Sequence, residues 1–360
     1  MLKKLKKLTG VIGGIVLASV LGCSPYLYRE GMNVSSQEYR NAILREIKEA
    51  EGSSDKRRLE NKCMLETVIE KNPCILALSF QEYQFYVAKF RSRDNKEVKY
   101  CAWEPAEKSS EEAIVYLNGM ESNAGWFSDC ARELVKKGIS VYGLDRRGSG
   151  INSEIRGAYN KWIDDVDALI KEVKKMREGK AVDVNLMSIC FGARIATGEA
   201  IKNPRGAKTL IYISPGFNMK VDVQPHEKMM IGFSSLFGFD IPIKSPVKSD
   251  WMFTRESEYT RRIGDDKLRV RAPNSRDFMQ GQILLDYIKK NLERVGVPSI
   301  VFLAGNDEII WPGATRDTVK EFCYPSEIKE EKEAEHAIFF SNEETRKRFL
   351  DDVVRFITEN

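Results

Sequence analysis

Residues 182–193 read Val182-Asp183-Val184-Asn185-Leu186-Met187-Ser188-Ile189-Cys190-Phe191-Gly192-Ala193, and this stretch decides the fold. The run 182–187 has the length and residue types of a buried strand, and the residues from Phe191 to about Lys202 have those of a helix. Between them stands a small-x-nucleophile-x-small pattern, with Ser188 and Gly192 in the small places and Cys190 at the centre. The requirement is steric. A residue presented at the tip of so tight a strand-to-helix turn sits at a strained backbone angle, and bulky residues two positions away would strike the adjacent strand and helix. Ser188 fits the central place less well, because its flanks would be Leu186 and Cys190 and it would lie before the corner.

Outward from this bend the chain alternates short apolar runs with helical patterns. Phe85–Phe90 and Val98–Trp103 are strand-like around an Asp94-Asn95 turn. Ala113-Ile114-Val115-Tyr116-Leu117 and Ser140-Val141-Tyr142-Gly143-Leu144-Asp145 bracket a helix over 126–137 that Gly138 closes. Trp162, Val166, Leu169, Ile170, Val173 and Met176 recur at helical spacing. Further strands are expected at 209–214 and 299–303, and a last helix at 343–358. Continuous apolar strands alternating with helices mean a mostly parallel sheet covered on both faces, an α/β doubly wound architecture. Reactive groups on such a sheet gather at the carboxyl ends of the strands.

Two later segments supply partners for the thiol. The expected strand at 299–303 runs into Ala304-Gly305-Asn306-Asp307-Glu308-Ile309-Ile310, which places Asp307 where a carboxylate orients an imidazole. Glu335-His336-Ala337 follows the last strand-like run. The order nucleophile, acid, base is then Cys190, Asp307, His336. Glu333 and Glu335 are rival acids, but their place beside His336 in the chain disfavours a ring-orienting contact. The only other histidine, His226, lies in a polar stretch and reads as surface.

The N-terminal segment has a different character. Met1-Leu2-Lys3-Lys4-Leu5-Lys6-Lys7 is basic, 11–21 is apolar, and the run ends at Gly22-Cys23. This is the layout of an export signal. Cys23 after a small residue resembles a bacterial lipobox, which implies lipidation of Cys23 and a membrane tether; an uncleaved anchor is the alternative. Residues 1–23 are thus expected to be a lipoprotein-type signal peptide and 24–79 a polar helical spacer, with thin apolar faces on helices near 36–50 and 55–71. The six cysteines beyond Cys23 show no C-x-x-C spacing, so a zinc or redox motif is not expected. Export permits disulfides, and a Cys63–Cys74 pairing stays open.

Composition bounds the rest. The chain has 360 residues, 57 Lys and Arg against 53 Asp and Glu, and a formal charge of +4, which gives no support to nucleic-acid binding. Hydrophobic residues at 42% suit a globular domain rather than a disordered chain or a polytopic membrane protein. With two histidines, no metal is implied, and no cofactor either.

Residues 80–360 resemble the α/β-hydrolase superfamily, specifically its monoacylglycerol lipase and lysophospholipase group. Asn118-Gly119-Met120-Glu121 stands where that group has His-Gly-x-Gly/Glu. Leu144-Asp145-Arg146-Arg147-Gly148-Ser149-Gly150-Ile151-Asn152-Ser153 is similar to its Asp-x-Arg-Gly-His-Gly-x-Ser stretch. Gly305-Asn306-Asp307-Glu308-Ile309-Ile310 resembles its acid loop, and Phe253 to about Asp286 the end of its cap. The resemblance implies an α/β-hydrolase domain over 80–360 with a cap inserted at about 217–285. It also implies an oxyanion hole built from the backbone N–H groups of Met120 and Phe191. The departures are Cys190 for the family's serine, Asn118 for the histidine before the first glycine, and Ser149 for the histidine after Gly148. The function implied is a membrane-tethered acyl hydrolase on lipid or small esters. The alternatives are acyl transfer by the same triad, or a binding protein on a hydrolase scaffold.

Overall fold

The computed structural model describes residues 76–79, 82–106, 110–176, 182–324 and 326–360. The expected signal peptide, Cys23, the spacer helices and the Cys63–Cys74 question lie outside the described residues. Nine strands form one sheet: β1 (Leu76–Ser79), β2 (Tyr83–Arg91), β3 (Glu97–Pro105), β4 (Glu112–Leu117), β5 (Ser140–Leu144), β6 (Asp183–Ile189), β7 (Leu210–Ile213), β8 (Ser299–Ala304) and β9 (Ser326–Glu331). Their order is β1-β2-β3-β5-β4-β6-β7-β8-β9. β1, β2 and β3 pair antiparallel, β3 joins β5 antiparallel, and every pair from β5 to β9 is parallel. The sheet begins at Leu76, so the last four residues of the stretch expected as spacer are a strand of the domain.

The helices are α1 (Ser128–Lys136), α2 (Tyr159–Met176), α3 (Phe191–Lys202), α4 (Pro225–Phe237), α5 (Ser257–Asp265), α6 (Ser275–Lys289), α7 (Pro312–Val319) and α8 (Glu343–Glu359). Side chains alternate along each strand and feed two cores, one on each face. On β4, Ile114 and Tyr116 join the layer with Leu134 of α1 and Phe349 and Val353 of α8. Ala113, Val115 and Leu117 join the layer with Leu169 of α2, Ile195 of α3 and Leu284 of α6. Strands β5, β7 and β8 are buried at every residue, which is why they read as unbroken apolar runs. β9 is the edge and reads Ser-Glu-Ile-Lys-Glu-Glu. Its charges pair outward, Glu327 with Arg355 and Lys329 with Asp352, as an edge exposed to water favours.

The insertion between β7 and β8 carries α4, α5 and α6. It departs from the expected 217–285 cap at its far end. α6 places Leu284, Leu285 and Ile288 in the core layer shared with α2 and α3, so it belongs to the helices flanking the sheet. The cap proper ends near residue 274.

Candidate active site

Cys190 stands at the tip of β6, with φ 50° and ψ −116°. A non-glycine residue in this region is strained by about 1–3 kcal/mol and persists only where its surroundings enforce it. They do so here. The Cys190 N–H donates to Ile213 O (3.1 Å), and its carbonyl accepts from Ala193 N (3.1 Å) and Gly216 N (2.8 Å). A Cβ on Gly192 would lie 2.5 Å from Leu117 O, so the small residue two places after Cys190 is a packing requirement. Ser188 is wholly buried within β6, and its hydroxyl has no partner. The structure therefore presents Cys190 rather than Ser188 at the bend.

His336 and Asp307 come together as expected. His336 Nδ1 lies 2.8 Å from Asp307 Oδ2, with both side chains buried. The other carboxylate oxygen accepts from Ile309 N (2.8 Å) and Ile310 N (2.9 Å), which fixes the plane of the acid. Of the rival acids, Glu333 is exposed and Glu335 faces the Arg255 guanidinium at 3.6 Å. Burial pulls the His336 pKa down, but the charges of Asp307 and then Cys190, with the hydrogen bond to Asp307, push it up to about 10. Nε2 makes no formed hydrogen bond, as is common for catalytic pairs without substrate. His226 is exposed on α4.

The two lost histidines are accounted for together. Asn118 Nδ2 donates to Ser149 Oγ (3.0 Å) and to Ser122 O (2.5 Å). Ser122 Oγ in turn accepts from Gly119 N (2.8 Å). Both substituted positions thus touch each other and keep the loop after β4 in shape. Phe191 is the first residue of α3, where N–H groups have no acceptor within the helix and the dipole is positive. Met120 lies in the loop after β4, and its neighbour Gly119 lies beside Cys190: a Cβ there would stand 3.4 Å from the Cys190 Cβ.

Three charged groups around the site were not singled out from the sequence. Arg194, four residues after Cys190, is buried and donates to Gly216 O (2.7 Å) and Gly281 O (3.2 Å). It has no carboxylate partner among the described residues. Burial pulls its pKa down to about 10, while Cys190 pushes it up. Its signal was legible: it is the single charge in Phe191–Gly198. Arg146, in the loop after β5, donates to Met120 O and to Asp277. Glu121, next to Met120, pairs with the buried Arg269 of the cap at 2.8 Å. Among the described residues no group of three or more His, Cys, Asp or Glu is arranged to hold a metal ion.

A mostly parallel sheet, a strained strand-to-helix bend after β6, an acid after β8 and a histidine after β9 are the arrangement of an α/β-hydrolase. Residues 108–344 match the family described as serine aminopeptidase, S33, and the chain belongs to that family. Solved structures give the same fold. The Paleococcus ferrophilus monoacylglycerol lipase is 18% identical, with 77% of this chain and 99% of that chain covered and a TM-score of 0.60. A soluble variant of the Saccharomyces cerevisiae monoglyceride lipase, in complex with a substrate analogue, is 13% identical over 83% of this chain and 99% of that one, also at 0.60. A carboxyl esterase from Bacillus coagulans is 16% identical over 76% and 98%, at 0.61. No curated protein matches the sequence.

Proposed function

We propose that this protein is a membrane-tethered acyl hydrolase that cleaves carboxylic esters or thioesters through Cys190, His336 and Asp307. The observation that carries the reading is the buried His336–Asp307 pair at 2.8 Å, with Cys190 strained at the bend after β6. Two of the structural neighbours are described as a monoacylglycerol lipase and a carboxyl esterase, which favours ester substrates over peptides.

In the reaction, the Cys190 thiol gives its proton to His336 Nε2, and Asp307 steadies the imidazolium through Nδ1–H. The thiolate attacks the acyl carbon. The carbonyl electrons move onto oxygen, where the N–H groups of Phe191 and Met120 receive the charge; one such donor is worth roughly 3 kcal/mol. Collapse breaks the bond to the leaving oxygen or sulfur, which takes the proton from His336. Water then gives a proton to the ring and adds to the thioester. Collapse of this second adduct releases the acid and restores the thiol.

The tether rests on the N-terminal sequence, with Cys23 as the lipidated residue. The cap supports a lipid setting. Met229, Phe233, Leu236 and Phe237 are exposed on α4, Leu236 at 83%, and Phe239 lies beside them. Such a contiguous apolar face is unusual on a surface that meets only water.

The test is p-nitrophenyl ester turnover by the full chain in detergent. Wild type is expected to turn over, and Cys190→Ala to fall to background with the fold intact by circular dichroism. Equal activity in the two would refute the triad.

A further inference from the structure

One guanidinium touches both residues of the proposed oxyanion hole. Arg146 Nη2 lies 3.1 Å from Met120 O and 3.2 Å from Met120 Sδ. Its Cζ stands 5.5 Å from the centroid of the Phe191 ring and 5.6 Å from that of Trp162. Nη1 reaches Arg147 O at 2.9 Å and Asp277 Oδ2 at 3.2 Å. The side chain is 2% exposed, and Nε has no partner.

The two hole residues come from separate parts of the chain. Met120 follows β4, and Phe191 starts α3. The gap between their N–H groups is therefore set by tertiary contacts, and Arg146 contacts both sides. Its position is also independent of the motif's own scaffold. Arg147 does the scaffolding, bound to Asp94 and Asp165 on the far side, whereas Arg146 turns toward the site. A buried cation carries a large desolvation penalty. Here one carboxylate, two carbonyls and two aromatic faces offset it, and the last tether, Asp277, comes from α6.

We propose that Arg146 is a positioning residue for the oxyanion hole. It pins the carbonyl and thioether of Met120 and packs on the Phe191 ring, so that both N–H groups stay aimed at one point. This rests on the esterase reading. It goes beyond it by giving a residue outside the triad a role in one half of the reaction only: stabilising oxygen charge, not forming the thiolate.

That asymmetry supplies the experiment. Alkylation of Cys190 by iodoacetamide needs the thiolate and no oxyanion. Ester turnover, and inhibition by an alkyl trifluoromethyl ketone that forms a charged adduct on the thiol, need both. For Arg146→Met, kcat for p-nitrophenyl butyrate should fall about 10- to 100-fold, short of the loss of a hole donor itself. KM should change less than about threefold, ketone affinity should fall in parallel with kcat, and the rate and pH profile of alkylation should match wild type. Arg146→Lys keeps the charge and stem without the fork, and should show the same pattern at smaller size. It also serves where Arg146→Met does not fold. Wild-type kcat and ketone affinity in either folded variant would overturn the proposal. So would a parallel loss of alkylation, which would mark a general structural role. A wild-type chain that alkylates at Cys190 but neither hydrolyses esters nor binds the ketone would defeat the esterase reading itself, and the Arg146 assignment with it.

Discussion

The sheet and the cap are held to the core in different ways. In the sheet, apolar side chains face inward on both sides, and helices α2 and α8 turn charge to water. The cap also turns apolar residues inward, among them Met252, Phe253, Ile263 and Leu268, and adds ion pairs and polar contacts to the domain beneath. Arg269 pairs with Glu121 and Asp250, Arg262 with Asp129, and Asp266 accepts from Asn123 and Trp126 Nε1, both at 2.6 Å. The outer face of α4 carries apolar residues as well, with Leu236 and Met229 at 83% and 72% exposure. The sheet places Cys190, Asp307 and His336. The cap is joined by apolar contacts together with ion pairs, and its α4 leaves an apolar face exposed. On the proposed reading the sheet holds the chemistry, and the cap placement and access.

Substitutions that break this division have unequal expected effects. The largest falls on the sheet side: His336→Ala should lower ester turnover by at least about 1,000-fold, and, because it leaves the buried Asp307 without its partner, it should also lower the melting temperature. Steady-state kinetics and calorimetry check both halves. Next is the ion pairing that joins the cap. Arg269→Met leaves Glu121 buried, and burial already pushes that carboxyl's pKa up; the loss should be about 3 kcal/mol if the pair is as tightly packed as its geometry indicates. Hydrogen exchange should show faster opening of the cap segment 245–270, with β6 and α3 unchanged. Uniform loss of protection would erase the distinction between the two regions.

A third effect concerns the charge behind the nucleophile. Arg194→Met removes a buried cation four residues from Cys190 that ties Gly216 and Gly281 to α3, so alkylation of Cys190 near pH 7 should slow several-fold. Arg194→Lys should retain part of the rate. An unchanged alkylation profile would reduce Arg194 to a tether for Gly216 and Gly281. The smallest effect on the isolated protein belongs to the cap's outer face. Phe233→Ser with Leu236→Ser should alter stability by about 0.5 kcal/mol or less and leave turnover of a soluble ester unchanged, while binding to phospholipid vesicles falls. Intact vesicle binding would contradict a lipid-facing cap.

The His336–Asp307 pair also makes a pH prediction. The ring's folded pKa is raised from 6.5 to about 10. The stabilisation it contributes is fully present below pH 6.5 and is lost as pH rises toward about 10. The melting temperature of wild type should fall across that window more steeply than that of His336→Gln. Parallel curves would mean the ring is not held protonated.

Much of this was legible in the sequence because it rests on local pattern. β4 through β8 are buried on both faces, so they appear as unbroken apolar runs, and the bend at Cys190 declares itself by the small residues it requires. Asp307 and His336 were readable from chain order. What was not legible depends on contacts between distant segments. β9 is a charged edge strand, whose partners Arg355 and Asp352 lie on α8. The family resemblance puts α6 at the end of the cap, yet Leu284 and Ile288 close the layer over α3. The Asn118–Ser149 bond turns two apparent losses into one compensated pair, 31 residues apart in the chain. Arg146 looked like a variable neighbour of Arg147 until its reach to Met120 and Phe191 was seen.

The most direct measurement is acid-quenched mass spectrometry of the full chain mixed briefly with a slow ester substrate. An acyl group should appear as a thioester on the peptide carrying Cys190. It should accumulate in the first turnover, disappear on treatment with hydroxylamine at neutral pH, and be absent from Cys190→Ala. Ester turnover with the acyl group on Ser188 or another hydroxyl, or with no covalent adduct at any quench time and full activity in Cys190→Ala, would contradict it.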